Sequence, residues 1–172
     1  MILVIIDHLS AMVHLVPTKQ DYRTKDITEI LFDRVYKHHG MPRLIISDRD
    51  SLFTSLFWCR LHQLIGSELR LSLAYHPQTD GLTEHTNQMT TQMIRSCVAL
   101  NQQDWAVKLC GIEFVINYAR SETNGVMPFM LNIRRMPRSI IWETNSEYSG
   151  VRVFMQKMKN AIMCAHDLII TT

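Results

Sequence analysis

Several features that would fix an architecture early are missing from this sequence. Its four cysteines, Cys59, Cys97, Cys110 and Cys164, include no C-x-x-C pair. That argues against a zinc site and supplies no disulfide framework, so a reducing compartment fits best. Glycine and proline are scarce, six and five in 172 residues, too few for a disordered or fibrous chain. No stretch approaches the roughly 18 uninterrupted apolar residues of a membrane span, so the chain is expected to be soluble. Residues 1–6 are apolar, but they lack a basic leader and run straight into Asp7, which reads as a strand and not as a signal peptide. Neither sign of charge dominates: 18 basic against 16 acidic residues leave a formal charge of +2, which permits nucleic-acid binding without demanding it. There is no internal repeat and no low-complexity tract.

What is present is enough for one compact domain with a substantial core, since 47% of the residues are hydrophobic and 20% charged. Two β-rich runs, 2–6 and 11–16, flank Asp7-His8-Leu9-Ser10 and predict an antiparallel hairpin closed by Pro17. Thr24 is placed to cap a helix to about Lys37, with Ile27, Ile30, Leu31 and Val35 at helical spacing and His38-His39, Gly40 and Pro42 at its end. A short apolar strand, 44–46, follows, and the order strand, helix, strand suggests a partly parallel sheet. A helix over 55–65 is expected to bury Phe57, Leu61, Leu64 and Ile65 before Gly66, and 69–73 reads as a further strand.

Residues 74–81 carry loop chemistry, with Pro77 and Asp80-Gly81 as breakers, and predict a long helix from about Thr83 to Leu100. Its apolar stripe is Met89, Met93, Cys97 and Leu100; Glu84, Gln88, Thr91 and Arg95 line another side, available to a ligand. A helix over 104–118 presents Trp105, Leu109, Ile112 and Val115, and Asn124-Gly125 to Pro128 turns the chain away. An irregular segment leads to a last helix over 151–170, whose Val151, Met155, Met158, Ile162, Ala165 and Ile169 are expected to pack on the core; Arg152, Lys157 and Lys159 read as its solvated side. The division expected is a core over 1–135 and an irregular segment plus helix over 136–172.

Two carboxylates stand out by position: Asp48, at the end of the 44–46 strand, and Glu84, in the first turn of the polar-striped helix. Carboxylates at such edges can converge on Mg²⁺, a hard cation that takes oxygen ligands, and two such ions can activate an attacking oxygen and stabilise a leaving one. The plain reading of the same residues is a turn cap and a first-turn carboxylate favoured by the helix dipole.

Between Asp48 and Glu84 lie 35 residues. This spacing resembles the last two members of the Asp, Asp, 35-residue, Glu triad of retroviral and retrotransposon integrases. The surrounding words look like the gypsy-type version: Ile46-Ser47-Asp48-Arg49-Asp50, Phe53-Thr54-Ser55 and Phe57-Trp58, then 75–81 with Thr83-Glu84 and Asn87. Asp104-Trp105, Glu113-Phe114, Thr123-Asn124-Gly125 and Pro128-Phe129 extend the resemblance over roughly residues 2–133.

The resemblance implies an α/β, ribonuclease H-like mixed sheet with flanking helices, followed by C-terminal helices. It implies Asp48 and Glu84 as ligands of Mg²⁺ or Mn²⁺, 3′-end processing and strand transfer as the reaction, DNA as the partner and the nucleus as the place of action. His76, Gln78 and Thr79 in the loop, and Asn87, Gln88, Thr91 and Arg95 on the helix, become DNA-binding candidates. In the family the first triad Asp sits on a central strand that precedes the one resembling 2–6. This chain has no residues there, and Asp7 matches a non-catalytic position. The expectation is therefore an N-terminally truncated core, without the family's zinc-binding domain or C-terminal module and catalytically incomplete alone. A non-catalytic DNA-binding remnant and a protein-interaction remnant, self-associating through an open sheet edge or the last helix as a homo-oligomer, stand as alternatives.

Overall fold

The computed structural model describes residues 1–71, 77–97, 104–121, 125–137 and 146–171. Their order is β1 (Ile2–Ile6), β2 (Val13–Pro17), α1 (Thr24–Leu31), a π-turn (Phe32–Tyr36), α2 (Lys37–His39), β3 (Leu44–Ser47), α3 (Ser51–Thr54), α4 (Leu56–Ile65), β4 (Glu68–Leu71), α5 (Pro77–Cys97), α6 (Trp105–Tyr118), α7 (Pro128–Ile133) and α8 (Ser149–Thr171). No helix among the described residues is long and apolar enough to cross a membrane. The contacts divide the chain into two units: Thr18–Gly81 with Met1, and Ile2–Pro17 with Leu82–Thr172.

In the second unit β1 and β2 form the expected antiparallel hairpin, with Val4 opposite Leu15 and Ile6 opposite Val13. The second strand starts later than the sequence suggested. Ala11 takes a left-handed conformation, φ 56°, so strand geometry begins only at Val13. Asp7 closes the loop: its carboxylate accepts from the amides of Leu9 at 3.5 Å and Ser10 at 3.0 Å and from the Ser10 hydroxyl at 2.5 Å. Both oxygens of Asp7 thus act as a turn clamp.

Val13 and Leu15 point into a cluster with Met93 of α5 and Leu109, Ile112, Val115 and Ile116 of α6, against which Ile2, Val4, Ile6, Trp105 and Ile162 pack. Burial of so many branched side chains is the main force holding this unit together, about 1.5–3 kcal/mol for each one fully buried. Helix α6 also contributes polar groups. Asn117, itself buried, accepts from Val13 N at 2.8 Å and donates to Val13 O at 2.8 Å. One turn earlier, Glu113 accepts from Leu15 N at 2.9 Å. Helix α8 packs on α6, but along Met155, Lys159 and Ile162, which are half-buried. Val151 and Met158 of the expected stripe stay exposed together with Phe154; apolar residues occupy more than one face of this helix, and only one reaches α6. Ala165 and Ile169 lie in α8 with side chains outside the described residues.

In the first unit β3 and β4 pair in parallel, Leu44 opposite Glu68 through Ser47 opposite Leu71, joined by α3 and α4. The chain beyond Leu71 lies outside the described residues up to Pro77. At the start of α1 the cap is not Thr24: the Asp26 carboxylate accepts from Arg23 N at 2.7 Å, and the Thr24 hydroxyl reaches Leu52 O and Ser55 Oγ, each at 3.1 Å. Ser55 Oγ accepts from Trp58 N at 3.2 Å and starts α4, as its sequence position suggested. Gly66, φ 80°, ends that helix in the left-handed conformation that needs no Cβ.

Helix α4 is turned relative to expectation. Trp58 and His62 are buried, whereas Phe57 is 51% and Leu64 87% exposed. The reason is a polar-aromatic core. Trp58 packs on Phe53 and His62, His62 Nδ1 lies 3.0 Å from Trp58 O, and its Nε2 lies 2.9 Å from the hydroxyl of Tyr36. A histidine whose two ring nitrogens both have partners is cheaper to bury than its polarity suggests. The π-turn carries Tyr36 to this position.

Candidate metal and nucleic-acid site

Asp48 follows the last residue of β3, at the carboxyl end of a parallel strand, where the sheet stops and ligands commonly sit in α/β folds. It is exposed. Its Oδ1 accepts from Asp50 N at 3.2 Å, and Asp50 in turn caps α3 by accepting from Leu52 N at 2.9 Å. A rigid strand before it and a capped turn after it therefore hold the Asp48 carboxylate toward solvent. Asp50 is the residue that sequence reasoning quoted without assigning it this supporting task.

Glu84 lies on α5, which starts at Pro77 and not near Thr83. Proline and the residues after it are compatible with a first helical turn because the amides there have no intrahelical acceptor. His76 lies outside the described residues; Gln78 and Thr79 fall in the first turn of α5, with side chains outside them. From Glu84 onward the helix separates cleanly. Thr86, Thr90 and Met93 are buried, whereas Glu84, Asn87, Gln88, Thr91 and Arg95 are all exposed.

The same exposed residues line an open groove along α5: Glu84, Asn87, Gln88, Thr91, Gln92, Arg95 and Ser96. Carboxylate and guanidinium stand about 16 Å apart along the axis, from a rise of about 1.5 Å per residue. Between them the lining is carboxamide and hydroxyl, groups that both donate and accept. The groove thus unites the five helix residues singled out from the sequence. It adds Gln92 and Ser96, which the four-residue step from Gln88 would have found; the Ser96 hydroxyl is turned back onto Gln92 O at 3.1 Å.

As oxygen donors, Asp48 and Glu84 suit a hard divalent cation. Asp48 belongs to the first unit and Glu84 to the second. No group of three His, Cys, Asp or Glu side chains able to hold a metal is gathered among the described residues.

No family model matches the chain. The transposon Tf2-3, Tf2-4 and Tf2-5 polyproteins of Schizosaccharomyces pombe are each 30% identical to it over 134 residues, 78% of this chain and 10% of theirs. The chain thus spans about a tenth of the length of these relatives. Its fold is similar to the catalytic core domain of BIV integrase, with a TM-score of 0.61 and 16% identity over 77% of this chain and 85% of that one. It is also similar to the HTLV-2 integrase catalytic core domain, solved in complex with magnesium in a trimeric form, with a TM-score of 0.56 and 17% identity over 76% and 83% of the two chains. A chain of the simian T-cell lymphotropic virus intasome with PP2A regulatory subunit B56 gamma matches with a TM-score of 0.59 and 16% identity over 84% and 51%.

This chain is a homologue of the Tf2 retrotransposon polyproteins with the fold of a retroviral integrase core. The ribonuclease H-like class expected from the sequence is therefore the fold observed. For this integrase-core homologue, the resemblance puts its two triad carboxylates at Asp48 and Glu84, and the structure presents both to solvent.

Proposed function

We propose that the chain is the DNA-handling core of a gypsy-type retrotransposon integrase, acting in the nucleus, with Asp48 and Glu84 as ligands of Mg²⁺ or Mn²⁺ and the α5 groove as a DNA-contact surface. One observation carries the reading: in a homologue of a transposon polyprotein, the carboxylate 35 residues after Asp48 sits at one end of a groove whose remaining lining is uncharged donors, acceptors and an arginine. A bound divalent ion would polarise phosphate oxygens and lower the barrier to in-line displacement. The chain's own residues do the positioning. Arg95 pairs with a backbone phosphate, whereas Asn87, Gln88 and Gln92 present amide groups able to meet base edges or sugar oxygens. Asp50 holds Asp48 in place through its amide.

Of the three carboxylates that the resemblance implies, Asp48 and Glu84 are the two this chain supplies. The absence of a three-ligand group among the described residues favours a second reading, a non-catalytic DNA-binding remnant.

The test is metal-dependent strand transfer on a labelled terminal-repeat DNA end, comparing the chain with Asp48→Asn and Glu84→Gln. Activity lost in both variants supports the integrase reading. Absence of activity, with DNA affinity unchanged by either substitution, overturns it in favour of the remnant. An Arg95→Ala chain that binds DNA as well as the parent, with the same salt dependence, would remove the α5 groove from the interface.

A further inference from the structure

The two edges of the β1–β2 hairpin are in opposite states. In an antiparallel pair, alternate residues direct their amide and carbonyl outward. On β2 these are Val13, Leu15 and Pro17, because the outer bonds of Val13 and Leu15 run to α6. All three outward donor positions are closed: Asn117 takes Val13 N, Glu113 takes Leu15 N, and proline has no N–H to offer. No strand can add to that side.

On β1 the outward residues are those opposite them, Ile2, Val4 and Ile6. The end pairs confirm the phase, since Met1 and Thr18 exchange backbone bonds at 3.0 and 2.9 Å and Asp7 N donates to Met12 O at 2.9 Å. Among the described residues nothing pairs with the outer amides and carbonyls of Ile2, Val4 and Ile6. The strand carries none of the usual defences of an edge. It has no charge, proline or bulge, and it is apolar on both faces. By contrast β4 carries Glu68 and Arg70, and β3 runs directly into Asp48, Arg49 and Asp50.

We propose that β1 is a self-association edge, taken by β1 of a second copy in antiparallel orientation about a twofold axis through Val4. The spacing dictates this partner. Open positions at 2, 4 and 6 are symmetric about residue 4, so Val4 meets Val4 of the second copy and Ile2 meets Ile6. Each pair exchanges two hydrogen bonds, and no open group is left over. Such an isologous contact closes on itself. Because Asn117, Glu113 and Pro17 block the outer edges of the resulting four-stranded sheet, it stops at a dimer and does not grow into a fibre. This interface is independent of metal or DNA binding.

The experiment combines sedimentation of the whole chain over a concentration series with residue-level amide exchange, repeated on Val4→Pro. That substitution spares the hairpin, because the Val4 amide faces outward and proline is tolerated there on an edge strand. The expected result is a doubling of mass with concentration, in step with exchange at Ile2, Val4 and Ile6 slowing by about tenfold or more, both lost in Val4→Pro. A chain that stays monomeric overturns the proposal. So does a dimer whose Ile2, Val4 and Ile6 amides still exchange freely, or protection of those amides that is already complete in the monomer. Growth beyond a dimer overturns the closed edge. If Val4→Pro fails to fold, the concentration dependence of exchange in the unaltered chain decides the matter alone.

Discussion

In the unit built around Trp58, the buried polar groups bond to one another, the Tyr36 hydroxyl to His62 and His62 to main chain of its own helix. In the unit built around Ile112, the buried polar side chain is Asn117, and it bonds to the main chain of a strand. The difference is one of chemistry as well as geometry. The first arrangement contains groups that gain and lose protons, so its stability is tied to pH; the second contains an amide that does not titrate and serves to finish a strand edge. Polar burial therefore conditions the first core on protonation and gives the second a fixed boundary.

The largest expected effect separates the two on the Asn117 side. Asn117→Leu leaves Val13 N and O buried without partners and removes the block on β2. A loss of about 2–4 kcal/mol is expected in denaturant titration, since each orphaned buried group costs about 1–3 kcal/mol, together with new aggregation. A loss below about 1 kcal/mol would show that the edge is satisfied by other means.

A smaller effect, with a pH signature, is expected at Tyr36. Burial pushes its hydroxyl from 10.0 up to about 12. The folded chain thus holds this proton more tightly than the unfolded one. The contribution is fully present below pH 10 and drains away as pH rises from 10 toward 12. Tyr36→Phe should cost about 1 kcal/mol at neutral pH, from the lost hydrogen bond to His62, while flattening the alkaline limb of stability followed by circular dichroism. An unchanged alkaline limb would place its origin elsewhere.

The smallest effect belongs to the hairpin loop. Ala11 sits at positive φ, where a Cβ costs about 1 kcal/mol, so Ala11→Gly should raise the thermal midpoint slightly, offset in part by the loss of a buried methyl and by the entropy of glycine. A clear drop would mean that methyl packing outweighs backbone relief.

Much of the local structure was legible. Alternation and Pro17 marked the hairpin, helical spacing marked α1 and α6, Ser55 and Gly66 bounded α4, and the polar side of α5 came out in the groove as read. Less legible was which face each helix buries. Nothing in the apolar pattern of α4 pointed to Trp58 and His62 over Phe57 and Leu64, because that choice depends on Tyr36 arriving from the π-turn 26 residues away. The start of α5 was misplaced because proline and Asp-Gly signal a break in isolation but are tolerated in a first turn.

By itself the sequence determined the carboxylates, their 35-residue interval, the words around them and therefore the ancestry, since these are properties of order along the chain. Tertiary structure alone decided that Asp7 closes a turn, that Glu113 and Asn117 seal one strand edge while the other stays open, and that Gln92 and Ser96 join the α5 groove. Those facts depend on which hydrogen-bonding groups meet across about a hundred residues of chain. Distance along the sequence carries no record of such meetings until packing of the core brings the groups together.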